Sequence, residues 1–151
     1  MQIYSLLQDG TDIITQCLKI IESQKLTRLS KSQVIPKCLS KIQGGFKFFV
    51  ESGCRPDGYF WKSLEWNVLE MRLALPQSKY LLRLICSYEQ NELMLLSGYI
   101  LKPESYDDRH MTDKINIQYR QHINKSIQYK ADFFGPQKFD YVQLTEYILD
   151  I

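Results

Sequence analysis

Arg72 and Arg83 stand inside otherwise apolar segments, Trp66-Asn67-Val68-Leu69-Glu70-Met71-Arg72-Leu73 and Tyr80 to Ser87. A guanidinium among Leu, Met, Ile and Cys needs a partner or a wet cleft, because an unpaired buried charge is strongly unfavourable. With the apolar segment Leu93 to Lys102, these read as three consecutive strands. Two arginines on neighbouring strands are the raw material of a cationic site, and their planar forks suit phosphate chemistry or nucleic acid. The same residues also have plain structural readings. Arg72 can pair with Glu70 or Glu65, and Arg83 can be satisfied by backbone carbonyls or by the C-terminal tail.

The flanking elements must position these side chains. Met1 to Leu7 is a short apolar stretch followed by the turn signal Gln8-Asp9-Gly10, which predicts a first strand. Thr11 or Asp12 can cap a helix whose apolar face is Ile14, Cys17, Leu18 and Ile21. Ser30 or Ser32 offers a second cap, before the stripe Ile35, Leu39, Ile42, Phe46 and Phe49. The two helices predict an antiparallel hairpin joined by a short basic loop. Short links between the three later strands predict an antiparallel meander, ended by Pro103. Beyond it, Thr112 or Asp113 could open a helix through Ile115, Tyr119, Ile123 and Ile127, with Gly135-Pro136 as its break and a last short helix or strand from Tyr141. The aromatics Phe46, Phe48, Phe49 and Phe60-Trp61 read as core or helix-packing residues.

A chain of 151 residues fits one domain, 1–151. No apolar run reaches the roughly 18 residues of a membrane span, and the N-terminus lacks the pattern of a secretory signal. A cytoplasmic protein is expected. Cys17, Cys38, Cys54 and Cys86 are widely spaced, as free thiols would be. No glycine-rich nucleotide loop, metal-ligand cluster or nucleophile motif occurs, so no metal and no cofactor is expected. Net charge is +2, but from Lys19 to Lys47 seven basic residues face the single acid Glu22. Such a region is either a footprint for nucleic acid or a solvated helix face.

Specific residues resemble the RelE/ParE superfamily of bacterial toxins, and within it the phage-derived HigB-like branch. Ile3-Tyr4 and Asp9-Gly10 lie near that family's opening strand and turn. Lys62, Leu64 and Glu65 match its lysine and leucine–acid pair, and Leu69-Glu70-Met71-Arg72 matches its aromatic-Glu-Leu-Arg core with leucine for the aromatic. Leu82-Arg83 matches a tyrosine–arginine start to the next strand. Ser97-Gly98-Tyr99 and Leu101-Lys102 match a His-Gly-Phe element and a lysine pair. The resemblance covers the chain to about Gln121 and leaves 130–151 as a C-terminal extension.

The resemblance implies an α+β, RelE-like fold, with a small curved antiparallel sheet packed against the N-terminal helix hairpin and followed by an extra helical tail. It implies a toxin of a type II toxin–antitoxin pair. Such a toxin is a metal-independent endoribonuclease that cleaves mRNA, often on the ribosome, inhibits growth, and is neutralised by a small helix-turn-helix antitoxin. On that reading Arg72 and Arg83 clamp the phosphate, while Lys62 and Lys102 add charge at the cleft edge. Tyr99, Tyr106 and His110 would contact RNA by stacking or proton transfer. The family's strand histidine is Ser97 here and the first lysine of its pair is Leu101, so proton transfer would fall to other groups, with His110 and His122 the only histidines. The alternative is a non-catalytic protein of the same fold that binds an antitoxin or gyrase.

Overall fold

The computed structural model describes residues 1–89, 92–106 and 108–150. In chain order these form β1 (Gln2–Gln8), β2 (Thr11–Asp12), α1 (Ile13–Ser23), α2 (Lys31–Glu51), β3 (Trp61–Ser63), β4 (Val68–Ala74), β5 (Tyr80–Glu89), β6 (Leu93–Pro103), α3 (Arg109–Phe134), β7 (Asp140–Gln143) and α4 (Thr145–Leu149). The sheet runs β2-β1-β6-β5-β4-β3, with β7 also paired to β1. The architecture is α+β, with four helices on a mixed sheet.

The meander β3 to β6 is antiparallel, as the short links predict. The sheet as a whole is not antiparallel. β1 lies parallel to β6, with Tyr4 opposite Leu95, which no direct hairpin could give; the chain reaches β6 only by way of the two helices and β3 to β5. The link at 90–91 lies outside the described residues. Asp9 and Gly10, both at positive φ, make the two-residue turn between β1 and β2, where Gln8 pairs with Thr11. Asp12 caps α1, accepting from the Thr15 N–H at 2.9 Å.

The α1–α2 hairpin covers one face. Ile14, Cys17, Leu18 and Ile21 are buried there as their spacing predicts, joined by Val34, Cys38, Ile42, Phe46 and Phe49 from α2. Val34 and Cys38, rather than Ile35 and Leu39, are the deepest residues of the first turns, so the buried line runs Val34, Cys38, Ile42 and Phe46. Against them lie Trp61, Met71, Leu84 and Leu96. All four cysteines are free thiols, three of them buried. Burial pushes the Cys17 thiol up to about 12, helped by Cys38.

The other face is covered by α3, which starts at Arg109 with Asp108 as cap, rather than at Thr112 or Asp113. Its buried line is Ile115, Ile123 and Ser126, not Ile127, since steps of four drift around a helix of 3.6 residues per turn. Three contacts hold it down. Arg120 pairs with Glu65 at 2.8 Å, the Ser126 and Ser87 hydroxyls meet at 2.6 Å, and Lys130 pairs with Glu89 at 2.6 Å. The segment 130–151 is not a purely helical tail. β7 adds a strand beside β1, with Ser5 opposite Val142, and α4 buries Ile148 in the main core. No helix among the described residues is long and apolar enough to cross a membrane.

The glycine pair in α2 separates by environment. A Cβ on Gly44 meets nothing within 4 Å, whereas one on Gly45 would overlap the fully buried Met71 Sδ. Gly45 also accepts from Trp61 Nε1 at 3.0 Å. Gly44→Ala should therefore raise stability by up to about 1 kcal/mol. Gly45→Ala should lower it by about 1–3 kcal/mol through overpacking. Urea unfolding of both variants checks the contrast.

Candidate functional site

Arg72 on β4 and Arg83 on β5 are direct partners in the antiparallel register, so both side chains leave the same face of the sheet. Alternation puts three more charged residues there. Lys62 on β3 faces Glu70 on β4, and Lys102 on β6 faces Leu81 on β5. The charges sense one another. Lys102 is held below its usual pKa by burial first, then by Arg83, Arg72 and Lys62, with Glu70 acting in the opposite direction. The four cations chosen from the sequence thus form one group, on the face that α3 covers.

Glu70 is the counter-charge. It is 3% exposed, and its Oε1 lies 3.7 Å from Arg72 Nε. Its Oε2, together with Arg72 Nε and Arg83 Nε, is buried without a hydrogen-bond partner. Arg83 is 5% exposed and donates from Nη1 to the Leu82 carbonyl at 3.2 Å. The structural readings of both arginines therefore hold in part. Arg72 pairs with Glu70 rather than Glu65, which is taken by Arg120. Arg83 uses a backbone carbonyl, while the C-terminal segment packs elsewhere, against β1 and α2.

Tyr119 of α3 closes the group from above. Burial pushes its phenol well up, the Glu70 carboxylate pushes it further by charge and hydrogen bonding, and Arg83 pulls it back. Lys102 Nζ sits 5.9 Å from the centre of the Tyr119 ring. The sequence placed Tyr119 on a helical face but gave it no role. Its signal was a phenol in a line of isoleucines, since a buried O–H needs a partner.

The cluster reaches solvent beside Arg72, whose side chain is 36% exposed. A hollow of about 240 Å³ opens there, lined by Arg72, Arg83, Ala74, Leu81, Tyr59 and Phe60 among others. Tyr59 is 71% exposed and Phe60 44%, stacked edge to face at 4.9 Å. Phe60, read with Trp61 as core or helix-packing, packs edge to face on Phe48 of α2 and is half-open as a wall of the hollow; Phe48 is also partly exposed. The loop is fixed by Asp57, whose Oδ1 accepts from the Tyr59 and Trp61 N–H groups at 3.0 and 2.8 Å. Desolvation opposes ionisation of Asp57, yet these backbone donors bring its carboxyl below the usual value.

The remaining candidates do not line this hollow. Tyr99 lies on the opposite face, because strand alternation turns it towards α1, where it borders a separate depression with Gln16 and Lys19. Tyr106 is half-buried in the β6–α3 connection, and His110 is exposed in the first turn of α3, its N–H bonded to Asp108 Oδ1 at 2.9 Å. Ser97 is buried and donates to the Ile85 carbonyl at 3.3 Å. His122 is half-buried between α3 and β6, directly over Gly98, where a Cβ would collide with its ring. No group of three or more His, Cys, Asp and Glu arranged to hold a metal occurs among the described residues.

Glu70→Gln removes the buried carboxylate from among the cations and should cost about 2–4 kcal/mol, whereas Arg72→Gln, partly in solvent, should cost about 1 kcal/mol or less; chemical denaturation measures both. Burial first, then Lys125, holds His122 below its ordinary value of 6.5. The unfolded chain therefore binds this proton more readily. Stability should be full above about pH 6.5 and decline as pH falls towards the folded value, by at most about 1.4 kcal/mol per pH unit. His122→Gln should flatten that part of a urea-unfolding series taken from about pH 7.5 to 5.

No protein-family model, curated protein or solved structure matches this chain.

Proposed function

We propose that this protein is an endoribonuclease toxin of the RelE/ParE type, binding single-stranded mRNA at the Arg72–Arg83 hollow and cutting it without a metal. The observation that carries the reading is the direct opposition of Arg72 and Arg83 on adjacent strands, beside a hollow walled by Tyr59 and Phe60. Two like charges placed opposite one another, with too few carboxylates to balance them, favour an anion. The exposed rings add a surface on which an unpaired base can stack.

In RNA cleavage of this kind the 2′-oxygen attacks the neighbouring phosphorus and the 5′-oxygen leaves, giving a 2′,3′-cyclic phosphate. One proton must leave the 2′-oxygen and another must reach the 5′-oxygen. Arg72 and Arg83 would hold the non-bridging oxygens and offset the charge that grows on them. Lys102 adds positive charge from under the Tyr119 ring, and both proton transfers, from the 2′-oxygen and to the 5′-oxygen, run through solvent water in the open hollow. Glu70 and Tyr119 position the guanidinium groups rather than touch RNA, since Glu70 is buried under α3, Tyr119 is the α3 residue that covers it, and neither lines the hollow. The site would sit on the ribosome with mRNA threaded through it, in the cytoplasm, and a helix-turn-helix antitoxin would neutralise it by covering the hollow.

One observation favours the non-catalytic reading on the same fold. Ser97 is spent on the Ile85 carbonyl, so that position supplies no proton-transfer group. Such a protein would bind its antitoxin, or gyrase, through the same face.

Expression in bacteria without a partner separates the readings. The nuclease should arrest growth and leave cut transcripts. Arg72→Gln should lower cleavage by roughly 10–100-fold while the circular dichroism spectrum stays native. If the folded chain leaves mRNA whole, alone and with translating ribosomes, the nuclease reading is wrong. Intact mRNA together with a stable complex with a small DNA-binding protein would support the binding reading.

A further inference from the structure

The hollow beside Arg72 does not end at Phe60. On the far side of that ring, and of Leu73, lies a second depression of about 530 Å³, bordered by α2 residues Lys37, Lys41, Gly44 and Phe48. Phe60 and Leu73 line both depressions, so the two form one surface running round the β3–β4 edge of the sheet. Phe48 and Phe60 meet edge to face at 5.6 Å, 40% and 44% exposed, which sets a pair of open rings at the junction. Among the described residues, no carboxylate lines either depression. Lys37 and Lys41 stand one helical turn apart on the rim, neither in an ion pair among the described residues. Gly44 leaves the floor open, with nothing within 4 Å of where its Cβ would be.

We propose that the second depression is a subsite for the continuation of the same single strand. A base would stack on the Phe60–Phe48 pair over the floor at Gly44, and the next phosphates would be held by Lys37 and Lys41. This rests on the nuclease or nucleic-acid reading of the Arg72 hollow and extends it, making the substrate a strand of several nucleotides rather than a single phosphodiester. The chemistry fits that occupant. Arg72, then a cluster of exposed rings, then two lysines, with no carboxylate lining either depression, suit a strand whose phosphates flank a stacked base. A carboxylate-rich peptide would use the lysines but leave the rings in water. An apolar helix would cover the rings but leave the lysines unpaired.

The test uses the whole chain and 2′-O-methyl oligouridylates, which lack the hydroxyl needed for cleavage, followed by fluorescence anisotropy. A dinucleotide reports the Arg72 hollow alone, and an oligomer of about eight nucleotides reports both depressions. Lys37→Glu with Lys41→Glu, and separately Gly44→Leu, should weaken the longer oligomer by about tenfold or more. Their effect on the dinucleotide should be far smaller. The doubly reversed variant should also bind the longer oligomer with a shallower salt dependence, by roughly 0.7 in the logarithmic slope for each phosphate that the protein no longer neutralises. If Arg72→Gln weakens both oligomers while the α2 variants weaken neither, the subsite is wrong, the Arg72 site stands, and the groove is left to a protein partner. If neither oligomer binds the unaltered chain, the nucleic-acid reading fails together with its extension.

Discussion

Two guanidinium groups directly opposite one another on paired strands repel, and the fold holds them there all the same. Glu70 makes this possible. Its carboxylate is buried two positions along β4 on the same face, within 4 Å of Arg72 and close enough to influence Lys102 and Tyr119. Around it gather four cations. The cluster is therefore neutralised only in part, and one oxygen of the acid and two Nε groups lack hydrogen-bond partners, although Arg72 Nε keeps its ion pair with Glu70. A buried ionic group left incomplete is costly, because each orphaned polar atom has lost its water. The fold retains that cost at one spot, where a strand edge opens to solvent.

The two helical layers divide the work. The α1–α2 hairpin supplies the apolar core on one face, with Phe46, Phe49 and Trp61 as its largest members, and its polar ties to the sheet include Ile13 N–H to Ser5 Oγ and Trp61 Nε1 to the Gly45 carbonyl. On the other face α3 is narrow and long, so it covers only a strip. Its apolar contact there joins Ile123 with Val68 and Ile85, flanked by the pairs at Glu65, Ser87 and Glu89. Beyond that strip the sheet face is bare, and Arg72 with the Tyr59–Phe60 loop occupies the bare part. The opening at the site thus comes from the width of one helix rather than from a gap in the core.

Much of this was legible in the sequence because period-2 and period-3.6 patterns act locally. The strand alternation that places Leu69, Met71 and Leu73 opposite Val68, Glu70 and Arg72 fixes the shared face of the arginines as soon as the register is known. The helix cap at Asp12 and the break at Gly135 are equally local. Other features depend on contacts far apart in the chain, and these could not be read. The parallel pairing of β1 with β6 and the docking of β7 on β1 join residues distant in the sequence. Tyr99 alternates away from the arginines because its neighbour Ile100 is the residue opposite Arg83. Phe60 and Trp61 read together as core or helix-packing residues, yet adjacent residues of an extended chain point to opposite sides. Trp61 took the core, so Phe60 was left at the surface.

The position of α3 also decides the direction from which an anion can approach. Tyr119 sits over Glu70 and Arg83, and the Lys102 ammonium lies near its ring, so the cluster is closed from that side. Arg83 is almost fully buried and can reach a ligand only through the wall it shares with Arg72. The field of the four cations therefore emerges where low-dielectric walls and exposed rings meet, beside Arg72, Tyr59 and Phe60. Charge focused through such an opening acts over a longer range than the same charges spread across an open face. On the function proposed above, an incoming strand would meet Arg72 first and Arg83 second. Loss of Arg72 should therefore show in capture of the strand, and loss of Arg83 in how firmly the captured phosphate is held.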